Sequence, residues 1–259
     1  MTNPLLQTWQ TPFEMPPFED IQAKHFPEAF NMALAKHQTE IQNIANQQDE
    51  PSFENTLLAL EASGALLNQT TSVFFNLSAS HTSPEIQSIE RDIAPKLAAH
   101  NAAMFLNEAL FERIENLHQK REDLGLDKVG VRLIERYHLD FVRAGAKLKD
   151  KDRQTFADYS EKLASCFTQF SQNVLADEAL FCLTLTEEDQ LAGLPAFVRS
   201  AAKQLAKDRG LTQDNAHAFT LSRSSITPFM TFSDRRDLRE TMWTAWCKRG
   251  ENSGAHNNE

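Results

Sequence analysis

The chain has 259 residues, 41% hydrophobic and 24% charged, with a formal net charge of −10. That is enough for one large or two modest globular domains with a sizeable core, and the acidity excludes non-specific binding to a phosphate backbone as the default function. Only 8 glycines are present, too few for a turn-rich all-β fold.

The first twenty residues hold Pro4, Pro12, Pro16 and Pro17. Proline at these spacings forbids a helix and predicts an extended arm, which Leu5, Leu6, Trp9, Phe13 and Phe18 would pack onto the body. With no basic start and no apolar run, this arm does not read as a secretory signal. Helices are then predicted in series. Residues 26–47 place Phe30, Leu34, Ile41 and Ile44 on one face. Ser52 can cap a long helix over 53–80, with Phe53, Leu57, Leu60, Leu67, Phe74 and Leu77 as its stripe. Ser83-Pro84 restarts a helix over 84–106, which Pro95 should kink or interrupt.

Residues 108–123 carry Leu110, Ile114 and Leu117, with Gly125 as a stop. Residues 128–145 carry Val131, Ile134, Tyr137, His138 and Phe141. Residues 150–176 carry Phe156, Leu163, Phe167, Phe170 and Val174, and the phenylalanines throughout read as core packing. The texture changes after about residue 178. Leu180–Leu185 and Ala218–Leu221 read as two short strands that can pair. Thr186 with Glu187, Glu188 and Asp189 reads as a capped helical turn, and 195–209 as a helix closed by Gly210. Ser233 would cap a last helix to Arg249, with Leu238, Met242, Ala245 and Trp246 on its apolar face, and the tail 250–259 would fray. The fold class is therefore mainly α, an antiparallel helical array with a small β-hairpin or α/β patch. Its parts are an arm at 1–20, a helical lobe at 21–178 and a mixed segment at 179–259.

Chemistry is sparse. The histidines are His25, His37, His81, His100, His118, His138, His217 and His256. None precedes a glutamate and no two stand three or four apart, so H-E-x-x-H is missing and no residue is assigned as catalytic, cofactor-binding or metal-ligating. His100 and His138 lie on or beside helix stripes and read as core or boundary residues, and His81 suits a helix C-terminus. Cys166, Cys182 and Cys247 form no C-x-x-C pair. Cys166 and Cys182 read as small core residues, and the usage suits a reducing compartment, hence a cytoplasmic location. Phosphate-loop, dinucleotide and serine-elbow motifs are missing. Glu122-Asp123 and Glu187-Glu188 read as solvated, the run from Arg235 to Glu240 as a mixed-charge face. No stretch nears the roughly 20 apolar residues of a membrane span.

The stretches NTLLALEASGALLNQTTSVFFNLSASHTSPEIQ and LFERIENLHQKREDLGLDKVGVRLIERYHLDFVRAGAKL resemble the N-terminal part of bacterial peptidyl-dipeptidases, dipeptidyl carboxypeptidases of the thimet-oligopeptidase family. PFEMPPFEDIQAKHFPEAF, CFTQFSQNVLAD, EDQLAGLP and LRETMWTAWCKRGEN are also similar, so the resemblance runs along nearly the whole chain. It implies a helical, two-lobed zinc peptidase whose metal sits on an H-E-x-x-H helix in its C-terminal half. On that reading the chain is a non-catalytic N-terminal fragment forming one wall of a substrate channel. It holds no cofactor itself, while zinc and oligopeptide substrates belong to a monomeric full-length parent. Its faces toward the missing C-terminal half would let it self-associate. An endo-acting oligopeptidase of the same family and a self-standing helical interaction module are the alternatives.

Overall fold

A computed structural model of the chain describes residues 2–251 and 256–258, except the side chain of Asp150. Among the described residues helices dominate, accompanied by one two-stranded sheet, so the mainly α class with a small β patch is what the chain adopts. It divides into two compact units, Met1–Thr168 and Gln169–Glu259.

In the first unit, α1 (Phe26–Ala45) starts with Pro27 in its first turn, where a missing N–H costs nothing. It buries Phe26, Ala29, Phe30, Ala33, Ile41 and Ile44 at helical spacing. After the residues 53–62 come α3 (Ala65–Ser80), α4 (Pro84–Phe105), α5 (Glu108–Lys120) and α6 (Lys128–Arg143). Phe74 of α3 meets Phe26 and Phe30 edge-on, at centroid distances of 5.0 and 5.3 Å. Ile41 and Ile44 share a second core with Leu60, Leu110, Ile114 and Phe141.

The long helix expected over 53–80 is broken. Ser52 does cap its start, accepting from the Asn55 amide at 3.1 Å while Asn55 Oδ1 accepts from the Ser52 amide. A π-helical turn (Phe53–Leu58) and α2 (Ala59–Ala62) follow. The chain then turns at Ser63-Gly64, where Gly64 has φ 70°. Ser63 Oγ donates to the Leu60 carbonyl at 2.7 Å, and Glu40 accepts the Gly64 N–H at 2.8 Å. Local polar bonds thus replace the helical ladder. Pro95, by contrast, leaves α4 continuous. Ile93 and Leu97 pack into one core on either side of it and hold the helix course.

The arm is not simply extended. Pro4–Leu6 and Pro12–Glu14 form single 3₁₀ turns, each with proline at its start. Asn3 donates to the His25 carbonyl at 2.8 Å and Leu5 is buried, whereas Phe13 is 98% exposed.

The long helix α7 (Asp150–Leu180) leads to β1 (Leu183–Leu185). In the second unit β1 pairs antiparallel with β2 (His217–Phe219), Leu183 opposite Phe219 and Leu185 opposite His217. Glu188–Leu191 make a 3₁₀ turn capped by Glu187 with Gln190, rather than by Thr186. Around the sheet pack α8 (Ala196–Asp208), α9 (Arg223–Phe232) and α10 (Arg236–Cys247). Their core contains Leu185, Leu191, Val198, Phe219, Phe229 and Met242. The last helix is shorter than the sequence predicts. Ser233 ends α9, its amide donating to the Phe229 carbonyl, and Arg235 occupies the cap position of α10. Asn252–Ala255 and Glu259 of the tail lie outside the described residues.

Candidate functional site

Two histidine clusters are assembled in the first unit from residues far apart in sequence. At the α2–α3 break, His37 of α1 and His100 of α4 meet, His100 Nε2 to His37 Nδ1 at 2.9 Å. His37 Nε2 lies 3.2 Å from Ser63 Oγ. The hydroxyl proton of Ser63 already goes to the Leu60 carbonyl, so Ser63 Oγ accepts and His37 Nε2 carries the hydrogen. A neutral His37 then has its lone pair on Nδ1, and His100 Nε2–H donates to it. The proton order is the reverse of an activated serine, whose ring accepts the hydroxyl proton. Burial lowers the pKa of both rings, opposed at His37 by Glu40 and reinforced at His100 by His37.

The second cluster joins α5 and α6. His138 Nε2 is 2.8 Å from Glu115 Oε2, which Lys147 also approaches at 3.3 Å. His118 stacks on His138 with centroids 3.8 Å apart, and Phe111 lies 5.8 Å from the His138 centroid. Burial alone would raise Glu115, but hydrogen bonds from His138, Gln119 and Lys147 hold its carboxyl below the usual value. His118 is lowered by burial, then by His138 and Arg121. Hydrogen bonds, stacked rings and the Lys147–Glu115 ion pair lash two helices together here.

Among the described residues buried Arg113 of α5 has no carboxylate in its shell of hydrogen bonds. Its guanidinium donates to the Gln47 and Asp49 carbonyls, to Thr56 Oγ1 and to Asn55 Oδ1, at 2.7–3.3 Å. It fixes the loop after α1 and the π-helical turn to α5.

Among the described residues no group of three or more His, Cys, Asp or Glu side chains is placed to hold a metal ion. His37 and His100 spend facing nitrogens on each other, and the rings of His118 and His138 are stacked within 9° of parallel, so neither pair converges on a shared point. The described residues offer no arrangement that the zinc implied by the resemblance would fit. Glu122, Asp123, Glu187 and Glu188 are exposed, as their sequence context suggests. Cys166 is exposed and Cys182 half-buried, so Cys166 is not the core residue expected; it flanks a helix face that faces solvent.

That face is the main departure from the sequence reading. Phe156, Leu163, Phe167 and Phe170 of α7, read as core, are exposed, together with Tyr159. In the second unit Phe197 and Trp243 are more than half exposed. The signal was the apolar spacing itself, which shows that a face wants cover but not what covers it. No described helix is long and apolar enough to cross a membrane.

No protein-family model matches the chain. Individual proteins do. The dipeptidyl carboxypeptidase of Salmonella typhimurium is 35% identical over 255 residues, 98% of this chain and 37% of that protein. The dipeptidyl carboxypeptidase of Escherichia coli is 35% identical over 254 residues, again 37% of its length. Oligopeptidase A of Escherichia coli is 28% identical over 254 residues, 36% of its length. The chain therefore spans little more than a third of the relatives it matches. Over 98% of its own length it is a homologue of the N-terminal part of dipeptidyl carboxypeptidases and, at lower identity, of oligopeptidases A.

Proposed function

We propose that the chain is the N-terminal, non-catalytic part of a cytoplasmic zinc peptidase that releases dipeptides from the C-terminus of oligopeptides, and that its helices form one wall of the substrate channel. The observation that carries this reading is the 35% identity to two dipeptidyl carboxypeptidases against 28% to an oligopeptidase A, over the same length of chain. The hydrogen-bonding order at Ser63 and the contact of His138 with Glu115 support a scaffolding role for the polar clusters. The zinc would be held by residues outside this chain. Three free thiols accord with a reducing compartment.

The test uses the protein made from the longer reading frame, offered matched peptides with free and amidated C-termini. Dipeptides are expected only from the free acids, because counting two residues from the end requires contact with the terminal carboxylate. Internal cleavage of both peptides favours an endo-acting oligopeptidase, and no cleavage of either sinks the peptidase reading. The 259-residue chain alone is expected to release nothing; chelator-sensitive release from it would overturn its non-catalytic assignment.

A further inference from the structure

Along α9, Arg223, Ile226, Thr227, Met230 and Thr231 follow the i, i+3, i+4, i+7, i+8 pattern of one helical face. Against them α10 sets Trp243 and Trp246, three residues apart and so on one side of their own helix. Together they line an open cleft of about 310 Å³. That is the lower end of the range for small-ligand sites, about 300–1,000 Å³. Ile226 is buried, Met230 and Trp246 are half-buried, and Trp243 stays 57% exposed. Arg249, tied to Glu178 at 2.8 Å, lies 3.4 Å from the Trp246 centroid and pins that indole.

The charge of the cleft is as selective as its shape. Its one charged lining group is the Arg223 guanidinium. Elsewhere in this unit Arg199, Arg235 and Arg249 each hold a carboxylate, from Glu188, Asp189 and Glu178. Among the described residues no ion pair or hydrogen bond engages the exposed guanidinium of Arg223.

We propose that this cleft binds a small aromatic monocarboxylate without an ammonium group, an N-acylated or deaminated counterpart of one aromatic amino acid. Two indoles and a thioether favour an aromatic ring. The planar guanidinium suits a carboxylate, which it can hold through two parallel N–H bonds. No carboxylate lines the cleft to receive an ammonium, so a zwitterionic amino acid would leave its positive end unpaired near Arg223. The walls are helices, which offer side chains rather than the open strand edge that a peptide backbone pairs with. The occupant is therefore a free small acid. This inference goes beyond the peptidase reading and stands whether or not that reading holds.

The test follows the tryptophan fluorescence of the 259-residue chain, two of whose three tryptophans line the cleft. 3-Phenylpropionate is expected to change the emission with a Kd of about 1 mM. Its amide and phenylalanine should each bind about tenfold or more weakly. Arg223→Gln should weaken the acid about tenfold, whereas Arg236→Gln, on α10 but off the cleft, should leave it unchanged. Equal binding of acid and amide, of acid and phenylalanine, or of acid to the parent and Arg223→Gln would overturn the proposal. So would the absence of any response at about 20 mM acid. An acetylated peptide ending in phenylalanine that binds more tightly than 3-phenylpropionate would give the cleft to a peptide end and overturn the small-acid assignment. Calorimetry repeats the titration on the protein from the longer reading frame. Binding by the 259-residue chain alone would show the cleft covered in the longer protein and overturn the site. No arm reads peptidase activity, so failure here leaves the functional reading untouched.

Discussion

His37 and His100 give this fold a defined response to acid. Burial holds both imidazoles below the usual 6.5, while in the unfolded chain they titrate near that value. Below about pH 6.5 the unfolded chain therefore binds more protons than the folded one, so stability is complete above that pH and falls as the pH drops through it. Protonating His37 Nδ1 would also set two N–H donors against each other across 2.9 Å. Glu40, from the same helix, is the charged group facing His37 and moderates the effect. The urea midpoint of the 259-residue chain should fall between about pH 7 and about pH 5.5, and His100→Gln should flatten that slope. An equal slope in the variant would remove the pair as its source. None of this could be read from spacing, because the two rings come from positions 63 apart. The sequence marked His100 as a helix-face residue and stopped there.

At the scale of elements, the helical stripes were legible because 3.6-residue periodicity is local. The break at Ser63-Gly64 was hidden because Leu60 and Leu67 stand seven residues apart, close to two full turns, so the apolar phase survives the interruption. What the periodicity could not show is that Glu40 and His37 stand ready to take up the freed polar groups. Gly64→Ala should cost about 1–2 kcal/mol of unfolding free energy, since φ is 70° and the new Cβ would stand 3.0 Å from His37 Nε2. Urea titration that shows no loss would mean the break tolerates an ordinary side chain. α9 carries no legible helix signal because Pro228 lies within it, and Ser233 reads as a helix start, whereas it stands at the end of α9.

At the scale of the molecule, an acidic surface and uncovered apolar faces act in opposite directions. A net charge of −10 keeps copies apart, while Phe156, Leu163, Phe167, Phe197 and Trp243 favour contact. Raising the salt shortens the reach of the charges and leaves the apolar attraction in place. The sedimentation coefficient of the 259-residue chain should therefore rise with concentration more steeply at about 0.5 M than at about 0.02 M salt. Identical profiles would show that these faces do not self-pair. Homology was legible in the sequence because it is spread over many positions, whereas no catalytic constellation was legible among the 259 residues.

Arg113 sets a limit on how this chain can be divided. The carbonyls it holds belong to Gln47 and Asp49, more than sixty residues upstream. Any shorter piece that ends before α5 leaves those acceptors, and the side chains of Asn55 and Thr56, without their guanidinium. The smallest segment that keeps this connection intact runs from Gln47 in the loop after α1 through Arg113 of α5, so a cut anywhere within that stretch severs it.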